Sequence, residues 1–138
     1  MTGCAMLGIH VVEDSLTAAD HNDLGFSYET RGNLELAEKE YKKAIQKDKD
    51  WHLPYFNLGN VYYQKGQLDK AALHYRRSLE RKPDHADSMN NLALVRMRQK
   101  RYDQARRWID QAIAIEAKPE YLDTRHKILQ QGAGESKK

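Results

Sequence analysis

Catalysis and metal binding need particular side chains at particular spacings. His10, His21, His52, His74, His85 and His126 never fall three or four residues apart, the spacing that sets two ligands on one helical face. They are expected as scattered surface or capping residues, with no metal site and no cofactor. Ser15, Ser27, Ser78 and Ser88 stand in no nucleophile elbow, and there is no glycine-rich phosphate loop. An enzymatic reading therefore has no residues to rest on. The pattern that does recur is made of amides: Asn57 and Asn91 stand 34 residues apart, with Asp23 one step earlier. An amide offers both a donor and an acceptor.

The same step organises the whole chain. "DLGFSYETRGNLELA", "NLGNVYYQKGQLDKA" and "NLALVRMRQKRYDQA" begin at residues 23, 57 and 91. Leu24, Leu58 and Leu92 fall in register, as do Ala37, Ala71 and Ala105, then Ala44, Ser78 and Ala112. Apolar spacing within each unit is helical, and glycine or proline separates the helices. The spacing predicts helix pairs at 18–31 and 34–47, 52–65 and 68–81, and 86–99 and 102–115. The alanines are small because two helices approach closely there, and stacking the pairs buries the face a lone pair would leave wet. Residues 18–51, 52–85 and 86–119 are the three units. An amphipathic helix over 120–131 is expected to cap them, with a disordered tail at 132–138 and an irregular arm at 1–17.

Leu24-Gly25, Leu58-Gly59, Tyr28, Tyr62, Gly32, Gly66, Tyr41, Tyr75 and Pro83, at this period, resemble the tetratricopeptide repeat. The third unit departs most, with Ala93, Arg96 and Lys100 where glycine, an aromatic and glycine are usual. Lys100 predicts a strained turn if positive φ is required there. The resemblance implies an all-α, right-handed superhelix whose first helices line a concave groove, and a non-enzymatic adaptor that binds a protein or peptide.

Counting the register places Asp23, Asn57 and Asn91 in the innermost row. Phe26, Asn60 and Leu94 flank it, followed by Asn22, Phe56 and Asn90, then Glu29, Tyr63 and Met97, with Leu53 at the mouth. Asn57 and Asn91 are expected to face solvent and clasp an extended peptide, with Phe56, Tyr63, Leu94 and Met97 receiving its side chains. The family's carboxylate clamp for chaperone C-terminal tails uses two lysines, two asparagines and an arginine. Its places here hold Asn22, Phe26, Asn57, Asp87 and Asn91. Only Asn57 matches and Asp87 repels a carboxylate, so no chaperone tail is expected.

Charge is unevenly spread. Residues 13–40 are net −6 and residues 76–107 net +6, within a chain of net charge +3. That asymmetry supports an alternative, a structural scaffold that self-associates end to end into a homo-oligomer. The net charge itself is too small to imply nucleic-acid binding, and none is expected. Arg76-Arg77, Arg81-Lys82 and Arg106-Arg107 read as a solvated back, with a patch for an acidic partner, an anionic membrane or RNA as the alternative. The single Cys4 excludes an internal disulfide. Its setting "MTGCAM" is similar to the end of a bacterial lipoprotein signal, but only Met1 and Thr2 precede Gly3. The expectation is a cytoplasmic protein, with lipidation at Cys4 and a membrane-anchored lipoprotein as the alternative.

Overall fold

The structure, a computed structural model, describes residues 13–135; Cys4 and most of the expected arm lie outside them. Among the described residues there are seven helices and no strand: α1 Ala18–Thr30, α2 Leu34–Lys47, α3 His52–Gln64, α4 Leu68–Arg81, α5 Ala86–Arg98, α6 Tyr102–Ile115 and α7 Pro119–Glu135. The first six end within one residue of the expected bounds. Helices pack in consecutive pairs, α1 with α2, α3 with α4 and α5 with α6, and α7 lies on α5 and α6.

Local signals set the ends of these helices. Thr17 and Asp20 form a reciprocal capping box at the start of α1: the Asp20 N–H donates to Thr17 Oγ1 (3.1 Å) and the Thr17 N–H to Asp20 Oδ2 (2.8 Å). Each pair turns through the same hydrogen bond: Asn33 N to Tyr28 O (2.9 Å), Gln67 N to Tyr62 O (2.9 Å) and Arg101 N to Arg96 O (2.8 Å). That closure needs a left-handed residue. Gly32 and Gly66 supply it at φ 77° and 74°, and Lys100 is forced to φ 59°.

A glycine in α1 and another in α3 set how closely the paired helices approach. A Cβ on Gly25 would lie 2.7 Å from the Tyr41 ring, and one on Gly59 2.6 Å from the Tyr75 ring. In the third pair Ile109 replaces the tyrosine, and Ala93 replaces the glycine; both are fully buried. The loss of glycine at Ala93 is thus matched by a less bulky partner.

These two kinds of glycine should respond differently to substitution. Gly66→Ala meets open space, so its cost is the left-handed backbone alone, about 1–2 kcal/mol. Gly59→Ala drives a methyl into a buried ring whose hydroxyl is also held by Asn60 (2.9 Å), and should cost up to about 3 kcal/mol. Urea denaturation of both variants checks the order; an equal loss would mean that the Tyr75 ring moves freely.

The end of the stack differs from expectation. α7 continues through Glu135, four residues past the expected stop, so residues 132–135 are helical. Gly132 lies against Tyr102, where a Cβ would stand 3.2 Å from the tyrosine Cβ. The glycine that suggests a loose tail is what lets the helix run close past α6. Tyr121 and Ile128 are buried against Ala105, Ile109 and Ala112 in the second of two core clusters.

Candidate peptide-binding groove

The first helix of each pair carries the expected site residues, and the structure joins their amides across neighbouring helices. Asn57 Nδ2 donates to Asn22 Oδ1 (2.9 Å), and Asn91 Nδ2 donates to Asn60 Oδ1 (2.9 Å). Asn90 Nδ2 donates to Asn91 Oδ1 (3.1 Å), while Asn90 Oδ1 is buried without a hydrogen-bond partner among the described residues. The expectation that Asn57 faces solvent is corrected. It is 9% exposed, because α1 and α3 pack closely enough for its amide to be drawn to Asn22. Asn91 remains half-buried and can still reach a ligand.

Asn60, Tyr63, Asn91 and Leu94 come together in one cavity of about 260 Å³, with Glu29, Gln64 and Tyr75. Gln64 Nε2 donates to Glu29 Oε1 (2.6 Å), and Tyr41 OH to Glu29 Oε2 (2.7 Å). The Arg98 guanidinium lies over the Tyr63 ring, 4.8 Å from its centre. Sequence reasoning missed Gln64 and Arg98, although they share one register place, adjacent to that of Glu29, Tyr63 and Met97. Phe26 is 59% exposed, the barest large apolar side chain among the described residues. Asp23 is also exposed, and Leu53 is half-buried. Phe56 and Met97 are less available. Phe56 meets His85 edge to face and Tyr75 at a tilt, with centroids 5.0 and 5.9 Å away, and Met97 packs on the second core cluster.

Two histidines expected at the surface are buried. His21 is 0% exposed, with Nδ1 2.7 Å from Glu40 Oε2 and Nε2 3.1 Å from Asp14 Oδ2, the latter without hydrogen-bond alignment. His74 is buried beside Tyr62, with Nδ1 2.8 Å from the Lys70 carbonyl. Among the described residues no group of three or more His, Cys, Asp or Glu is placed to hold a metal, and no helix is long and apolar enough to cross a membrane.

His85, at the junction of the second and third pairs, gives the fold a pH dependence. Burial, reinforced by neighbouring His52, pushes its pKa down to about 4; burial also lowers His74. An unfolded histidine takes its proton near 6.5. Between about pH 6.5 and 4 the unfolded chain therefore binds more protons, and stability falls as pH falls. The melting temperature should be flat above pH 7 and decline below pH 6, less steeply in His85→Gln. An unchanged slope in that variant would contradict the assignment.

Family models for the tetratricopeptide repeat match residues 15–84 and 56–121. The chain belongs to the tetratricopeptide repeat family, an all-α solenoid class of protein-interaction modules. Solved structures with the same fold include the first repeat domain of Spaghetti (RPAP3) bound to the HSP90 peptide SRMEEVD. It is 20% identical with TM-score 0.82, covering 91% of this chain and 99% of that one. The first such domain of human RPAP3 is 16% identical with TM-score 0.84, covering 88% and 96%. The second domain of human RPAP3, in complex with the HSP70 peptide SGPTIEEVD, is 16% identical with TM-score 0.76, covering 80% and 93%. No curated protein sequence matches the chain.

The exclusion of chaperone tails does not stand. Domains of this same fold hold HSP90 and HSP70 peptides, and the charge at position 87 is a weaker obstacle than expected. Asp87, the residue expected to repel a carboxylate, accepts hydrogen bonds from the Tyr121 hydroxyl and from Lys118 Nζ (3.3 Å). Its charge is countered within the fold.

Proposed function

We propose that this chain is a non-enzymatic adaptor that holds an extended peptide in its concave groove, and that chaperone C-terminal tails belong to the class of peptides it takes. The observation that carries this reading is the half-open cavity at α3 and α5. There the amides of Asn60, Asn91 and Gln64 stand beside the apolar faces of Tyr63 and Leu94. Amides can hold a peptide backbone while apolar walls take alternate side chains. The bare Phe26 ring extends the apolar surface toward the first repeat. The likeness to peptide-bound domains supports the reading from outside the chain.

Calorimetric titration with SRMEEVD, SGPTIEEVD and an uncharged apolar peptide tests it. Saturable one-site binding of any of the three supports the adaptor. No binding by all three, with the circular dichroism of a folded helical protein, refutes it.

A further inference from the structure

The two junctions between helix pairs are built from equivalent positions, and one of them lacks its central group. In the first junction Glu38 is a hub: it accepts from the Tyr62 hydroxyl (3.0 Å), Lys42 Nζ (2.6 Å) and Lys65 Nζ (2.8 Å). Burial alone would raise its pKa, but these partners hold it down at about 2. Thirty-four residues on, Tyr62 becomes Arg96, Lys42 becomes Arg76, Lys65 becomes Gln99, and Glu38 becomes Ala72. One cation is kept as Arg76, a second, Arg96, stands where the tyrosine was, and the carboxylate is gone.

At the second junction the side chains regroup around that loss. Arg96 Nη1 donates to Gln99 Oε1 (2.7 Å), and Gln99 Nε2 donates to Asp69 Oδ1 (2.9 Å). Among the described residues Arg96 Nε is buried without a hydrogen-bond partner. Burial, then the nearby charges of Arg101 and Arg76, lower the Arg96 pKa. Arg76 and Arg101 are exposed, and among the described residues neither forms an ion pair. Arg96 thus feels the charges of Arg76 and Arg101 against that of Asp69, which already accepts from Gln99. A cleft of about 440 Å³ opens at Asp69 and Gln99, lined also by Gly66, Gln67, Leu68 and Lys70.

We propose that this edge of the stack, Arg96 with Arg76 and Arg101 near it, is a second binding site. It takes a carboxylate side chain of an acidic peptide partner, supplying from outside what Glu38 supplies within the first junction. Ala72 is buried, so the carboxylate is received outside it, by the exposed Arg76 and Arg101 and the accessible part of Arg96. Guanidinium pairs carboxylate through paired N–H donors, which makes it the fitting group for this ligand. None of the three arginines lines the groove cavity.

Fluorescence anisotropy with a labelled oligoglutamate peptide at low salt tests the site, with oligoglutamine as the neutral control and inorganic phosphate as a small-anion competitor. Oligoglutamate should bind the intact chain at least about tenfold more tightly than oligoglutamine. Arg96→Gln should remove that preference, and so should Ala72→Glu, which restores the missing carboxylate in place. If Arg96→Gln fails to fold, the exposed pair Arg76→Ala with Arg101→Ala makes the same test. Asn91→Ala with Leu94→Ala in the groove should leave oligoglutamate binding unchanged, which separates failure of this site from failure of the groove. The proposal is overturned if the preference survives these arginine changes or disappears with the groove variant. It is equally overturned if phosphate protects the chain from heat while oligoglutamate does not bind.

Discussion

Truncation after Lys118 is expected to lower the melting temperature sharply and to bring aggregation. α7 buries Tyr121 and Ile128 against Ala105, Ile109 and Ala112, and each large apolar side chain fully buried is worth roughly 1.5–3 kcal/mol. Its polar ties go too: the Tyr121 hydroxyl to Asp87, and Arg125 Nε to Asp110 Oδ1 (2.7 Å). Against a total stability of about 5–15 kcal/mol for a domain of this kind, that is a large fraction. The exposed face of α6 would then be free to meet other chains, as in solenoids without a terminal cap. Sedimentation velocity and thermal denaturation of the truncated chain check both effects. A soluble product with unchanged melting temperature would show that α7 does not close the stack.

The repeat was legible because close helix contact tolerates few residues. Alanine recurs at Ala37, Ala71 and Ala105, all fully buried, so the period is visible without any structure. The turn was legible for the same reason, since positive φ selects glycine and marks Lys100 as an exception. Contacts between repeats were not legible. Asn57 meets Asn22 across 35 residues, a pairing set by how neighbouring first helices lean together rather than by any local pattern. His21 is buried through Glu40 and Asp14, which come from other elements. The register put the expected site residues on the first helix of each pair, but did not show which of their side chains the packing would claim. Phe56 was taken up by His85 and Tyr75, while Phe26 was left bare.

The groove has its own prediction, which rests on that distinction. Asn91 and Leu94 line the cavity and are both half-buried, so they can meet a ligand without anchoring the core. A neutral hydrogen bond contributes about 0.5–1.5 kcal/mol, and partial loss of a leucine contact a similar amount. Asn91→Ala with Leu94→Ala should therefore weaken peptide binding about ten- to a hundredfold if the losses add. Asn57→Ala is a poorer probe, because it also breaks the bond to Asn22 and so mixes stability with affinity. Arg77, exposed on α4 away from the cavity, should tolerate reversal to glutamate with the groove's affinity kept. The most direct measurement is the calorimetric affinity of the double variant and of Arg77→Glu for the peptide that the intact chain binds. The groove account predicts a loss of ten- to a hundredfold in the first and little change in the second; a double variant that keeps full affinity while Arg77→Glu loses it would contradict the account.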